Sequence, residues 1–150
     1  MSARDRVVAA LAGAGLEVEV REFPAGTRTA ADAAAAVGCE VAQICKSLVF
    51  RVDGDRPLLV IASGANRVDE ARFGARKADA AYVREQTGYA IGGVPPVGHV
   101  RPIETVLDED LLAHDVVWAA AGTPTAVFAV DPRRLAALDG IRVARVSPAS

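Results

Sequence analysis

Apolar positions recur along the chain with two different periods. In residues 4–12, Val7, Val8 and Leu11 fall at helical spacing before a stop at Gly13 and Gly15, whereas residues 16–23 alternate apolar with charged side chains; a helix feeding a strand is expected. After a turn at Pro24 and Gly26, the alanine-rich stretch TAADAAAAVG reads as a second helix. Thr29 offers it a side-chain oxygen for the free amides at its start, and Gly38 offers a left-handed stop. A short helical turn is expected over residues 41–45.

Residues 46–52 and 58–63 are rich in β-branched and apolar side chains and are separated by DGDRP. Asp53 and Gly54 supply turn chemistry, so the two runs read as a hairpin with Lys46 opening its first strand. Between residues 66 and 84 polarity rises; Val68, Ala71 and Phe73 give helical spacing, and residues 80–83 read as extended chain. The segment TGYAIGGVPPVGHVRP carries four glycines and three prolines in sixteen residues, a density that forbids a regular helix and predicts a shaped loop with local strand pieces. Residues 107–112 read as a short acidic helix, and residues 116–120 and 126–130 as strands on either side of the AGTPT turn. Asp131 or Pro132 opens a helix through Leu138, and residues 141–146 close as a strand.

Strands thus alternate irregularly with short helices and at least two hairpin-like returns. That pattern predicts an α/β fold of the mixed α+β kind, with a mixed sheet and helices packed around it. No internal repeat or linker interrupts it, and 150 residues at 51% hydrophobic content suit one domain over residues 1–150 with a sizeable core.

Charge and cysteine usage narrow the function classes. With 17 basic and 19 acidic residues, a net of −2, the whole molecule exerts no pull on a polyanion, so any contact with nucleic acid has to be local. Cys39 and Cys45 have no histidine or carboxylate at zinc-ligand spacing and read as reduced structural thiols. Arg4, Asp5 and Arg6 precede an apolar stretch interrupted by Gly13, Gly15 and Glu17, unlike a secretory signal, and no apolar run is long enough to span a membrane. A cytoplasmic protein without a membrane partner is expected.

No GxxxxGK phosphate loop, GxSxG elbow, HExxH pair or GxGxxG after a strand is present, which removes most support for ATP, zinc and dinucleotide mechanisms. Lys46 opens the apolar run KSLVF, where an ammonium could hold a carbonyl or phosphate oxygen; a strand-end lysine reaching water accounts for the same letters, and local spacing favours it. The loop from Gly92 to His99 lets backbone approach a ligand and offers glycine amides to an oxyanion, or is a tight structural crossover. Gly122 and Thr123 in AGTPT could line a pocket or simply turn a hairpin. His99 and His114, the only histidines, have no catalytic partner nearby in sequence and read as hydrogen-bonding loop residues. Arg67, Arg72, Arg76, Lys77 and Arg84 are interspersed with Asp69, Glu70 and Asp79, as on a solvated mixed-charge face.

Taken in order, TAADAAAAVG, QICKSLVF, TGYAIGGVPPVGH and AAGTPTAVFAVDP resemble the successive motifs of the YbaK and prolyl-tRNA-synthetase-associated editing family, over roughly residues 20–146. Each motif is weak alone; four in the family's order are not. The resemblance implies a partly barrel-like mixed sheet ringed by helices, and a pocket for the terminal adenosine and esterified amino acid of a mischarged tRNA. It also implies hydrolysis without metal or organic cofactor. It places the catalytic lysine at Lys46 and the substrate-binding set at Thr29, Ser47, Gly92, Gly93, Val94, Pro95, Pro96, Gly98, His99, Gly122 and Thr123. The implied partners are the acceptor end of an aminoacyl-tRNA, a tRNA(Pro) carrying a small wrong amino acid, and a synthetase. The cysteinyl-tRNA-clearing branch has a serine and an aspartate around the last glycine turn; this chain has Ala120 and Val127. A non-catalytic nucleotide-, tRNA- or partner-binding module on the same fold is the alternative, and a hydrolase of small esters or amides a third reading.

Overall fold

Ser2 accepts the Asp5 amide on its hydroxyl at 3.1 Å and starts α1 (Ala3–Gly13), whose Val7 and Leu11, one turn apart, are fully buried. The structure, a computed structural model, describes residues 2–23 and 29–148; the turn expected at Pro24 and Gly26 lies outside them. Of the strand expected over residues 16–23, only β1 (Val20–Glu22) forms, because only these residues meet a partner strand. α2 (Ala30–Val37) begins in a reciprocal capping box, the Asp32 amide donating to Thr29 Oγ1 at 3.0 Å and the Thr29 amide to Asp32 Oδ2 at 3.2 Å. Gly38, left-handed, ends it.

A 3-10 turn (Val41–Gln43) leads into β2 (Cys45–Val52), which returns through Asp53 and Gly54, both at positive φ, into β3 (Arg56–Ser63). α3 (Glu70–Phe73), β4 (Arg76–Lys77) and α4 (Ala80–Thr87) follow. Residues 80–83, expected to be extended, form the first turn of α4. The Asp79 carboxylate accepts the Tyr82 amide at 2.8 Å and Gly88 closes the far end at φ 86°, so capping at both ends outweighs the β preference of Tyr82 and Val83.

The glycine–proline segment contains turns and no strand, a correction to the strand pieces expected there: Pro95, Pro96 and Pro102 have no amide to give a ladder. It runs to β5 (Glu104–Asp108). Leu107 and Asp108, expected in a helix, belong to this strand because β5 pairs with β3 in parallel, Ile61 opposite Leu107; the helical part starts only at a 3-10 segment (Glu109–Ala113). β6 (Val117–Ala120) and β7 (Ala126–Val130) flank the AGTPT turn as expected. α5 (Pro132–Ala136), capped by Asp131, and β8 (Ile141–Ala144) complete the described chain, each two residues shorter than its sequence pattern.

The strands form two sheets. One runs β1-β7-β6, antiparallel throughout; the other runs β4-β2-β3-β5-β8, antiparallel as far as β3 and parallel beyond it. This is the mixed α/β arrangement read from the sequence, but the sheets stay open, with β4 and β8 as edges, and do not close into a barrel. A parallel bridge between Ile44 and Trp118 joins them, one residue before β2 begins.

β3 is the central strand, and residues 58–62 are each 2% exposed or less. Its alternation divides the core: Leu59 and Ile61 pack with Val7, Leu11, Leu107 and Phe128, while Leu58, Val60 and Ala62 pack with Phe50, Val68, Val106 and Val146.

Candidate functional site

Lys46 is the second residue of β2, opposite Ala62 of β3, and lies beside the seam between the sheets. Half-buried, it directs Nζ to the carbonyl oxygen of Asn66 at 2.5 Å. The turn that carries this carbonyl is tied from several sides. Gly64 donates its amide to Ile44 O at 2.6 Å, Ser63 Oγ donates to Ala42 O at 2.8 Å, and the Asn66 amide donates to Ser63 O at 2.9 Å. Asn66 Nδ2 donates to Asp108 Oδ2 and to Asp110 Oδ2, both at 2.8 Å. Asp108, with no exposed surface, also accepts the Ser63 amide and the Asp110 amide, each at 3.0 Å. Gly64 permits the approach, since a Cβ there would meet Val41 O at 2.4 Å.

In front of Lys46 opens a cleft of about 590 Å³. Four of the sequence-predicted residues line it: Thr29, Lys46, Ser47 and Gly92. Its remaining wall is mostly apolar, with Phe23, Ala30, Ala33, Ile44, Ile91, Trp118, Ala120, Pro124 and Val127 among the lining. Thr29 Oγ1 is committed to the helix cap. Ser47 Oγ is buried and without a hydrogen-bond partner among the described residues, and a buried hydroxyl of this kind is ready for a ligand's donor or acceptor. Cys45 also lines the cleft, as a free thiol. Burial, and after it the Asp108 carboxylate, pushes its pKa far up, so it stays protonated and weakly nucleophilic.

The two glycine turns form one packed unit. Gly93 lies against the backbone of Thr123, and the Gly122 amide donates to Gly93 O at 3.0 Å. Gly122, at φ 103°, in turn lies against Ala3, where a Cβ would approach the carbonyl at 2.9 Å. The Gly93 amide, one of those the sequence offered to an oxyanion, is spent on Ala90 O at 2.9 Å. The Gly92 amide makes no hydrogen bond among the described residues.

The other predicted residues are spread behind and beside this cleft. Val94 joins Ser47 and Gly92 in an adjoining cleft of about 220 Å³. Thr123 sits behind Gly93, its Oγ1 3.4 Å from that of Thr125. Pro95 is buried, while Pro96, Gly98 and His99 line a separate cleft of about 330 Å³ with Gly140 and Ile141, away from Lys46. His99 Nε2 is 2.7 Å from Pro95 O; a carbonyl only accepts, so this nitrogen carries the proton. Burial pushes the His99 pKa down, opposed in part by that hydrogen bond, and the neutral ring staples the loop. His114 caps the 3-10 segment through its backbone. In the mixed-charge stretch, Arg72 donates to Arg145 O and Arg76 to Gly54 O.

Sequence reasoning missed Asn66 and Asp108, and missed Trp118 as a cleft wall. A carboxylate ending the apolar run TVLD was the available signal, because a buried acid demands donors; nothing local pointed to Asn66. Among the described residues, no helix is long and apolar enough to cross a membrane and no group of three or more His, Cys, Asp or Glu is placed to hold a metal ion.

Comparison with known proteins gives a consistent result. The model of the aminoacyl-tRNA editing domain matches residues 24–138. A candidate trans-editing enzyme for prolyl tRNA synthetase, known from its crystal structure, superposes with a TM-score of 0.90 at 48% identity, covering 99% of each chain. The crystal structure of hypothetical protein APE2540 gives a TM-score of 0.81 at 33% identity, over 92% of this chain and 96% of that one. The uncharacterized protein YwhH of Bacillus subtilis (strain 168) is 34% identical over 125 residues, 79% of this chain and 80% of its own length.

Proposed function

The chain belongs to the aminoacyl-tRNA editing domain family, and on that premise we propose that it is a deacylase acting in trans, as a single domain, on a mischarged tRNA. The observation that carries the proposal is Lys46: one ammonium, half-buried and held by a fixed carbonyl, at the wall of a mostly apolar cleft. Such a group binds weakly charged ground states little and a developing oxyanion strongly.

The ester carbonyl sits toward Lys46 and the uncommitted Gly92 amide, with Ser47 Oγ available to a hydroxyl of the terminal ribose. A water, oriented by a hydroxyl of the substrate, attacks the carbonyl carbon and gives up a proton. The bond from that carbon to the ribose oxygen then breaks, the ribose oxygen takes a proton, and free amino acid and uncharged tRNA leave. No protein nucleophile is required, which suits a cleft whose one thiol is held protonated.

The acyl side chain falls among Ala33, Ile44, Ala120 and Val127, walls that favour a small apolar group such as that of alanine. Ala120 and Val127, in place of a serine and an aspartate, support this over cysteine. Likeness to a candidate trans-editing enzyme for prolyl tRNA synthetase supports tRNA(Pro) as the carrier, a synthetase as partner, and the cytoplasm as the place of action.

The test is release of amino acid from Ala-tRNA(Pro), Cys-tRNA(Pro) and correctly charged tRNA by wild type and Lys46→Ala. Selective release from Ala-tRNA(Pro), reduced about 100-fold or more in the variant, is expected. Binding of charged and uncharged tRNA without release from any of them would replace the deacylase with a binding module.

A further inference from the structure

We infer that Asn66 and Asp108 are positioning residues for Lys46, forming a brace that holds its ammonium at the cleft wall; the inference rests on the deacylase reading for its kinetic consequence. Among the described residues, Lys46 does not meet a carboxylate directly. It meets the backbone carbonyl of Asn66 at 2.5 Å, and the side chain of the same residue spends its amide hydrogens on Asp108 and Asp110. Asn66 thus separates a cation from two acids while connecting all three.

The arrangement costs more than a lysine anchor needs. Asp108 is fully buried and satisfied by donors from Ser63, Asn66 and Asp110, and a buried carboxylate is retained only when such donors are organised for it. A direct Lys–Asp pair would neutralise the ammonium and pull it from the cleft. A carbonyl acceptor leaves the positive charge intact and two of the three ammonium hydrogens available to a ligand. The ties to Ile44 and Ala42 keep the turn from following Lys46 if it moves.

The chain has two lysines, Lys46 and Lys77, so one amine-labelling experiment reads the brace with an internal reference. Wild type, Asn66→Ala and the milder Asp110→Ala are treated with N-hydroxysuccinimidyl acetate, and labelling at each lysine is followed by peptide mass spectrometry; kcat and KM are measured on Ala-tRNA(Pro). Loss of the Asn66 side chain is expected to raise labelling of Lys46 relative to Lys77 by about tenfold, the worth of a hydrogen bond to a charged group. It is also expected to lower kcat by about the same factor with KM within about twofold, as for a group felt mainly in the transition state. Asp110→Ala is expected to move both quantities in the same direction by less. An unchanged labelling ratio in Asn66→Ala overturns the brace, as does a raised ratio with unchanged kcat. A raised ratio in a protein whose wild type releases no amino acid upholds the brace and removes the deacylase reading instead.

Discussion

Gly93 lies so close to Thr123 that a Cβ on the glycine would sit 2.6 Å from the Thr123 Cα and 2.7 Å from its carbonyl carbon. Both neighbours are backbone, so no rotamer change relieves the contact. Gly93→Ala is therefore expected to cost about 2 kcal/mol or more of stability by urea unfolding, and to lower deacylation through displacement of Gly92, which borders the cleft. Gly74→Ala, at a positive φ that Gly93 does not share but with nothing within 4 Å, serves as the comparison and is expected to cost less.

Cys45 borders the cleft yet is held as a thiol by burial and by Asp108. Alkylation by iodoacetamide at neutral pH should modify half-buried Cys39 first, and Cys45→Ala should retain ester hydrolysis within about threefold. Loss of all turnover with the fold intact would instead make the thiol a participant in the reaction.

The pKa of His99 is lowered in the folded state because burial disfavours the imidazolium. In the window between that lowered value and the usual imidazole value, the unfolded chain binds more protons than the folded one, so stability rises with pH there. The contribution is complete above the usual value and is lost as pH falls through the window. Urea midpoints taken from about pH 7.5 down to about pH 5 should fall for wild type and flatten for His99→Asn; an equal slope in both would locate the acid sensitivity elsewhere.

Ala120 faces the space assigned to the acyl side chain. Ala120→Val removes about two methyl groups' worth of that space, and should lower kcat/KM for the larger of two acyl groups by about tenfold more than for the smaller. Equal losses for alanyl and larger esters would move the acyl pocket away from this wall.

Local chemistry made much of the fold legible. The capping box at Thr29 and Asp32, the Asp53–Gly54 return and the alternation through β3 depend on residues a few positions apart and could be read directly. The same rules also explain the misreading of residues 80–83: Asp79 and Gly88 were caps in plain view, and the β-prone Tyr82 and Val83 between them carried less weight than those two ends. Leu107 and Asp108 went the other way, drawn into a strand by Ile61 and its neighbours, more than forty residues earlier.

By itself the sequence determined the family's ordered motifs, most of the strands and helices, and Lys46 as the lysine to test, because motif order and short-range periodicity are properties of the chain alone. Tertiary structure decided what Lys46 faces, since Asn66 and Asp108 reach it only through the pairing of β2 with β3 and of β3 with β5. It also joined Gly93 to Gly122 and sent His99 to another cleft. These juxtapositions arise from the packing of two sheets at the seam bridged by Ile44 and Trp118, and no spacing along the chain encodes a distance across a seam.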